Sequence, residues 1–381
     1  MNTMRESSVS RQEVETTVEH VVQTQIIRLH DESHPFQFES GVLLAPVDVA
    51  YETYGTPNRE GTNAVLLCHA LTGNAHAAGR SPDGQLGWWD GIVGEGKAFD
   101  PSKHFIICSN FLGSCYGTTG PTSINPRTGK RYGSTFPQMT VRDIVRVQRE
   151  LMNRLGVRWL KAVIGGSLGG MQVLEWAVMF PEVVDSIIPI ATAARHSAWC
   201  IGLNEVARLG ILTDPAWNGG NYTEQPEHGL ALARMIAMIT YRSRESFEKK
   251  FGQARQDQAI GRGTFDELSP AGFQIESYLR YQGEKLVDRF DAATYVAITR
   301  AMDLHDVAKG RGPLAEVLGR VRTKTLSIGI NTDVLYPAEE QQEIAALIPG
   351  AEYREIDSPH GHDAFLIEIE KLNGLIRNFL G

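Results

Sequence analysis

Cysteine is scarce and unpatterned in this chain. Its four cysteines, Cys68, Cys108, Cys115 and Cys200, form no CxxC pair and follow no regular spacing. Neither a zinc site nor a disulfide framework is suggested, and reduced thiols in the cytoplasm are expected. Long apolar runs are missing as well. None reaches the ~18 residues of a membrane span, and the opening MNTMRESSVSRQEVETTVEH lacks the apolar centre of a signal peptide. Residues 1–20 are therefore expected to form a loose polar tail on a cytoplasmic protein. Positive charge is also in short supply: 37 Lys and Arg face 45 Asp and Glu, a formal net charge of −8. That argues against a nucleic-acid partner, though a local cluster can still meet a small anion. Repeats and low-complexity segments are absent from the sequence. What remains is a 381-residue chain long enough for one large domain, or for a core domain with an insertion.

The runs VVQTQIIRL from Val21 and VDVAYETYG from Val47 alternate apolar and polar residues, as half-buried antiparallel strands do. AVLLCHAL from Ala64 and HFIICSN from His104 are short and continuously apolar, which suits parallel strands covered on both faces. Residues 140–156, TVRDIVRVQRELMNRLG, have helical spacing, with Thr140 and Asp143 in a capping pattern and Gly156 as the stop. The strand WLKAVIGG follows, then a helix over about 170–180 halted by Pro181, then the apolar run VVDSIIPIATAA. This alternation predicts an α/β fold with a mostly parallel sheet and helices on both faces. From about Arg195 the pattern turns helical, GLALARMIAMITY from Gly229 being the clearest case. Sheet-like sequence returns at TKTLSIGI from Thr323, and a helix over 364–379 closes the chain. The expected organisation is a core built from 21–194 and 312–381, with a helical cap, 195–311, inserted in it.

In the middle of the core stands KAVIGGSLGGMQVLEWA, residues 161–177, in which four glycines surround Ser167. Gly165-Gly166-Ser167-Leu168-Gly169 fits G-x-S-x-G between a buried strand and an apolar helix, the context of a nucleophile elbow. A sharp strand-to-helix turn lifts the serine hydroxyl clear of the sheet, small flanking residues let strand and helix approach, and the helix aims its N–H groups at a forming oxyanion. Such a serine needs a base and an orienting acid, which follow it in the order acid, histidine. Asp333, after the strand TLSIGI, and His362, in SPHGHDAFL before the last helix, meet that order. His360 and Asp357 stand as alternatives on spacing alone. HALTG, beginning at His69, occupies the usual place of the second oxyanion donor, so the backbone N–H groups of Leu71 and Leu168 form the expected pair. A basic run, YRSRESFEKKFGQAR from Tyr241, reads either as a solvated helix face or as a meeting place for phosphates.

HALTGNAH, GWWDGIVGEGKAFD, GPTSINPRTGKRYG, GGSLGGMQVLEWA, ESYLRYQG and GHDAFL together resemble the homoserine O-acetyltransferases, from about Phe36 to the C-terminus. Leu168, where many relatives carry Met, is the one departure, and it serves through its backbone. The resemblance implies an α/β-hydrolase fold and a triad of Ser167, Asp333 and His362. It further implies that Arg234 grips the carboxylate of the acceptor amino acid and Asp363 its amine, that no metal or resident cofactor is used, and that the protein is a homodimer joined through its cap helices. The implied reaction is ping-pong transfer of acetyl from acetyl-CoA to L-homoserine, a step toward methionine. Succinyl transfer to homoserine or serine is an alternative; in succinyl-using relatives an arginine tends to stand where this chain has Leu335. A plain esterase or thioesterase, or a catalytically silent member of the fold, uses the same framework.

Overall fold

A computed structural model describes residues 21–255 and 272–381. The expected tail, 1–20, and part of the expected cap, 256–271, lie outside the described residues. Eight strands form one sheet: β1 (Gln25–His30), β2 (Val47–Tyr54), β3 (Ala64–Cys68), β4 (Phe105–Ser109), β5 (Leu160–Gly166), β6 (Ser186–Ile190), β7 (Lys324–Ile330) and β8 (Glu352–Ile356). Their spatial order is β1-β2-β4-β3-β5-β6-β7-β8. β2 runs antiparallel to both β1 and β4, and the other pairs are parallel. The alternating pattern thus marks the antiparallel edge, and the wholly apolar runs mark the centre, where β3 and β4 are buried along their full lengths.

The chain leaves β3 toward one side of the sheet and returns to β5 on the other. That reversal opens a crevice at the carboxyl ends of the two strands, where ligands of open α/β sheets bind. Register brings the site's backbone together there, with Cys68 opposite Gly165 and Gly166 opposite Ile190. Leu66, Val163 and Ile187 enter one buried cluster with the helices α1 (Val141–Arg154) and α2 (Leu168–Met179). Val65, Ile164 and Ile188 enter the other, which is closed by residues of the C-terminal helix. Thr140 and Asp143 form the expected capping box at the start of α1.

Between β6 and β7 lie the helices α3 (Ala198–Leu212), α4 (Glu227–Tyr241), α5 (Arg244–Lys250), α6 (Gln274–Val287), α7 (Ala292–Asp303) and α8 (Leu314–Gly319). α4 packs against both α3 and α6, and its C-terminal end descends onto the turn at Gly361–Asp363. α9 (Ala338–Leu347) packs on β7.

Three local expectations need correction. β1 begins at Gln25 rather than Val21, because the preceding residues pair elsewhere: Val22 N–H donates to Arg80 O (3.0 Å) and the Thr24 hydroxyl to Glu52 (2.8 Å). The helix behind Ser167 starts at Leu168, immediately after the serine. The closing helix is broken into α10 (Ala364–Ile367) and α11 (Ile369–Leu380) at Glu368, whose backbone (φ −84°, ψ 52°) leaves the helical region. The Glu368 carboxylate pairs with Lys371 (3.3 Å) and accepts from Ser358, which holds the break in place.

Candidate active site

Ser167 follows β5 and caps α2 with φ 59° and ψ −125°, a backbone conformation rarely adopted by a residue with a side chain. Such strain costs ~1–3 kcal/mol and needs a surrounding structure that enforces it. Two hydrogen bonds do so, from Ser167 N–H to Ile190 O (2.9 Å) and from the Thr192 hydroxyl to Ser167 O (2.8 Å). The glycines are demanded by close approach. A Cβ on Gly169 would stand 2.1 Å from Cys68 O, and one on Gly166 would stand 2.6 Å from the Phe365 ring. Leu168 N–H, in the first turn of α2, has no partner within its own helix, and Leu71, on the loop after β3, lines a cavity together with Ser167.

His362 and Asp333 meet as the order of motifs predicts. His362 Nδ1 lies 2.7 Å from Asp333 Oδ2, both side chains being buried, while Asp333 Oδ1 accepts the N–H groups of Leu335 (2.8 Å) and Tyr336 (3.0 Å). With every Asp333 contact a donor, the proton on His362 is placed at Nδ1, leaving Nε2 with its lone pair. Burial opposes a charged imidazole, yet the Asp333 carboxylate, with Asp363 adding, outweighs it and raises the His362 pKa above 6.5. Ser167 and His362 line the same cavity, of about 350 Å³. The rivals are placed differently. Asp357 accepts from Asn331 Nδ2 (2.6 Å), and His360 faces another cavity beside Arg242.

That 350 Å³ cavity also receives Leu71, Arg234 and Asp363. The Arg234 guanidinium lies over the Tyr241 ring (5.4 Å), and the Tyr241 ring packs against His362 (5.6 Å between centroids). Asp363 is held by Arg242, Nε to Oδ2 at 3.2 Å. Burial pushes the Asp363 carboxyl above its ordinary 3.8, against the pull of Arg242, His362 and Arg234. A guanidinium and a carboxylate thus face one space beside the Ser167–His362 edge. A second, far smaller cavity of about 30 Å³ touches Ser167 and Leu71 on another flank and is walled by Cys200, Leu203 and Leu335.

Sequence reasoning missed three residues that shape this site. Arg242 is one, hidden in the basic run. Tyr241 is another, because an aromatic on an apolar helix carries no signal of its own. Arg289 is the third, and it ties the insert to the loop that carries Leu71. Its Nη1 donates to Thr72 O (2.7 Å) and to the Tyr116 hydroxyl (2.9 Å), and its Nη2 donates to Thr72 Oγ1 (3.3 Å). Thr72 and Arg289 stand 217 residues apart, beyond the reach of any local pattern. Among the described residues no cluster of three metal-ligating side chains occurs, and no helix is long and apolar enough to cross a membrane.

The alpha/beta hydrolase fold family model matches residues 63–368. The chain is 51% identical to the homoserine O-acetyltransferase of Chlorobium chlorochromatii (strain CaD3) over 350 residues, 91% of this chain and 93% of that protein. The chain belongs to the homoserine O-acetyltransferase family. A crystal structure of the homoserine O-acetyltransferase from Bacillus anthracis superposes with a TM-score of 0.86 at 32% identity, covering 95% of this chain and 98% of that one. Esterase E22 superposes almost as well, with a TM-score of 0.85 at 29% identity over 95% of this chain and the whole of that one. The fold common to homoserine O-acetyltransferases is therefore shared with an esterase, and backbone shape alone does not separate transfer from hydrolysis.

Proposed function

We propose that the chain transfers acetyl from acetyl-CoA to the hydroxyl of L-homoserine through an acyl-enzyme on Ser167. The observation that carries this reading is the single cavity shared by Ser167, His362, Arg234 and Asp363, next to the buried His362–Asp333 pair. His362 Nε2 takes the Ser167 proton as the hydroxyl attacks the thioester carbonyl. The Leu71 and Leu168 amides stabilise the oxyanion, and CoA leaves as the thiol. Asp333 fixes the imidazole tautomer and stabilises the imidazolium. In the second half-reaction Arg234 takes the acceptor carboxylate and Asp363 its ammonium, which aims the side-chain hydroxyl at His362. His362 removes that proton, the acetyl group passes to the oxygen, and Ser167 is released.

The reading requires no metal or resident cofactor, since serine, histidine and aspartate supply nucleophile, base and orientation. The small space beside Ser167, about 30 Å³ and walled by Cys200, Leu203 and Leu335, has no lysine or arginine in its described lining to meet a second carboxylate, which supports acetyl over succinyl. We further infer a cytoplasmic homodimer. Trp199, Val206 and Leu209 of α3 and Leu232 and Ile239 of α4 are exposed apolar residues on the insert, suited to a partner surface.

The test follows thiol release from acetyl-CoA and succinyl-CoA, each with and without L-homoserine or L-serine. Release that requires homoserine and prefers acetyl-CoA is expected. The likeness to esterase E22 favours hydrolysis as the second reading; thiol release indifferent to any amino acid would establish that reading and remove the roles given to Arg234 and Asp363.

A further inference from the structure

The basic run at 241–255 does not form a uniform solvated face. Arg242, Lys249 and Lys250 line a cavity of about 410 Å³, together with Phe251, Tyr278 and His360, and among the described residues no carboxylate belongs to its lining. In a chain of net charge −8 this is a local excess of positive charge. Among the described residues no carboxylate pairs with Lys249 or Lys250. Lys250 Nζ lies over the rings of Tyr278 (4.7 Å) and Phe251 (5.1 Å), which are themselves 5.0 Å apart. His360 Nδ1 is shielded from solvent and has no hydrogen-bond partner among the described residues. Two lysines without a carboxylate partner among the described residues, one of them over an aromatic pair, suit a ligand with both phosphates and a planar ring.

The cavity adjoins the catalytic one along two walls. Tyr278 and Lys285 stand seven residues apart on one face of α6, about 10 Å at the helical rise; Tyr278 lines the basic cavity and Lys285 the catalytic one. On the opposite wall Arg242 lines the basic cavity while its Nε holds Asp363 of the catalytic cavity. A long ligand with its reactive end at Ser167 has its far end within reach of α5. We propose that this basic cavity binds the phosphorylated nucleotide end of the acyl donor, with the adenine against Phe251 and Tyr278 and the phosphates on Lys249, Lys250 and Arg242. This rests on the acyl-CoA reading given above.

Adenosine 3′,5′-bisphosphate, titrated calorimetrically into the full chain, tests the subsite without turnover. Binding is expected, weakening with salt, and about tenfold weaker in the Lys249→Glu/Lys250→Glu variant. In turnover, that variant should raise the KM for acetyl-CoA about tenfold and the KM for S-acetyl-N-acetylcysteamine, which has no nucleotide, less than twofold. Lys249→Gln, a milder change at an exposed position, should give the same split at about threefold if the double variant fails to fold. Absence of bisphosphate binding to the unaltered protein, or equal KM changes for both donors, overturns the proposal. Bisphosphate binding without thiol release from acetyl-CoA would keep the subsite and instead sink the transferase reading.

Discussion

The sheet and the helical insert contribute to the site in different ways. The sheet delivers Ser167, Asp333 and His362 from strand ends or the loops that follow them, each braced by backbone hydrogen bonds or buried pairing. The insert delivers Arg234 and Tyr241 from α4, and Arg242 and Arg289 from the residues that follow α4 and α6, as side chains projecting toward that frame. On the reading proposed above, chemistry common to an esterase and a transferase comes from the first region and the choice of acceptor from the second, joined by Asp363, which sits on the sheet side and is held from the insert. Substitutions that remove a function from one region and spare the other are the way to break this division.

The largest effect is expected from Ser167→Ala, which should lower homoserine-dependent thiol release by at least ~10⁵-fold, since a triad nucleophile accounts for most of the triad's contribution. Retention of turnover by this variant would remove the whole catalytic assignment. Asp333→Asn should lower the rate by ~10⁴-fold, by losing the required tautomer. It should also shift the pH profile with a definite sign. His362 acts as a base when neutral, and its pKa is held above 6.5, so activity in the unaltered protein falls as pH drops through a value above 6.5. Removing the Asp333 charge lowers that pKa, and the acidic limb should move to lower pH. A limb that stays in place would dissociate it from His362.

Effects in the insert should be smaller and asymmetric between half-reactions. Arg234→Ala is expected to lower kcat/KM for homoserine by ~10²-fold, the value of a charge-assisted contact to a carboxylate in a desolvated site. Most of that loss should fall on acyl transfer, with much less on acylation measured as a nitrophenol burst from p-nitrophenyl acetate. Equal losses in both steps would mean that Arg234 supports the fold and does not read the acceptor. Arg289→Ala should cost about tenfold in both steps, because the loop that it clamps carries Leu71, a proposed oxyanion donor in each. A loss confined to one step would instead make Arg289 a contact to one substrate.

The same division explains how much was legible in the sequence. The elbow can be read from five residues because its glycines answer to backbone clashes between neighbouring strands and helix, such as the 2.1 Å approach at Gly169. Asp333 and His362 are legible because strand ends and motif order limit the candidates, although spacing alone left His360 and Asp357 open. Arg234 became legible only through resemblance, since an arginine on an apolar helix equally fits a snorkelling side chain. Arg242 and Arg289 stayed hidden because each acquires meaning from a partner more than a hundred residues away, Asp363 or Thr72. The break at Glu368 stayed hidden for a related reason, its partner Ser358 lying outside the helix, where helical spacing does not register it.

The smallest predicted effect concerns a residue that belongs to both regions. Leu335 follows the triad aspartate on the sheet side, gives its N–H to Asp333, and walls the 30 Å³ cavity against Cys200 and Leu203 of α3. The cavity's described lining includes no lysine or arginine, so a second carboxylate buried there would lack a cationic partner, which is costly. Leu335→Arg introduces a cation where the distal carboxylate of a succinyl group would lie and fills part of the space used by acetyl. The ratio of acetyl-CoA to succinyl-CoA turnover should fall several-fold, on the order of 1 kcal/mol between the two donors. Backbone donation to Asp333 is kept, so the acidic limb should stay in place while the ratio moves. An unchanged donor ratio would mean that acyl size is read elsewhere, and the small cavity would lose its role as the acyl pocket.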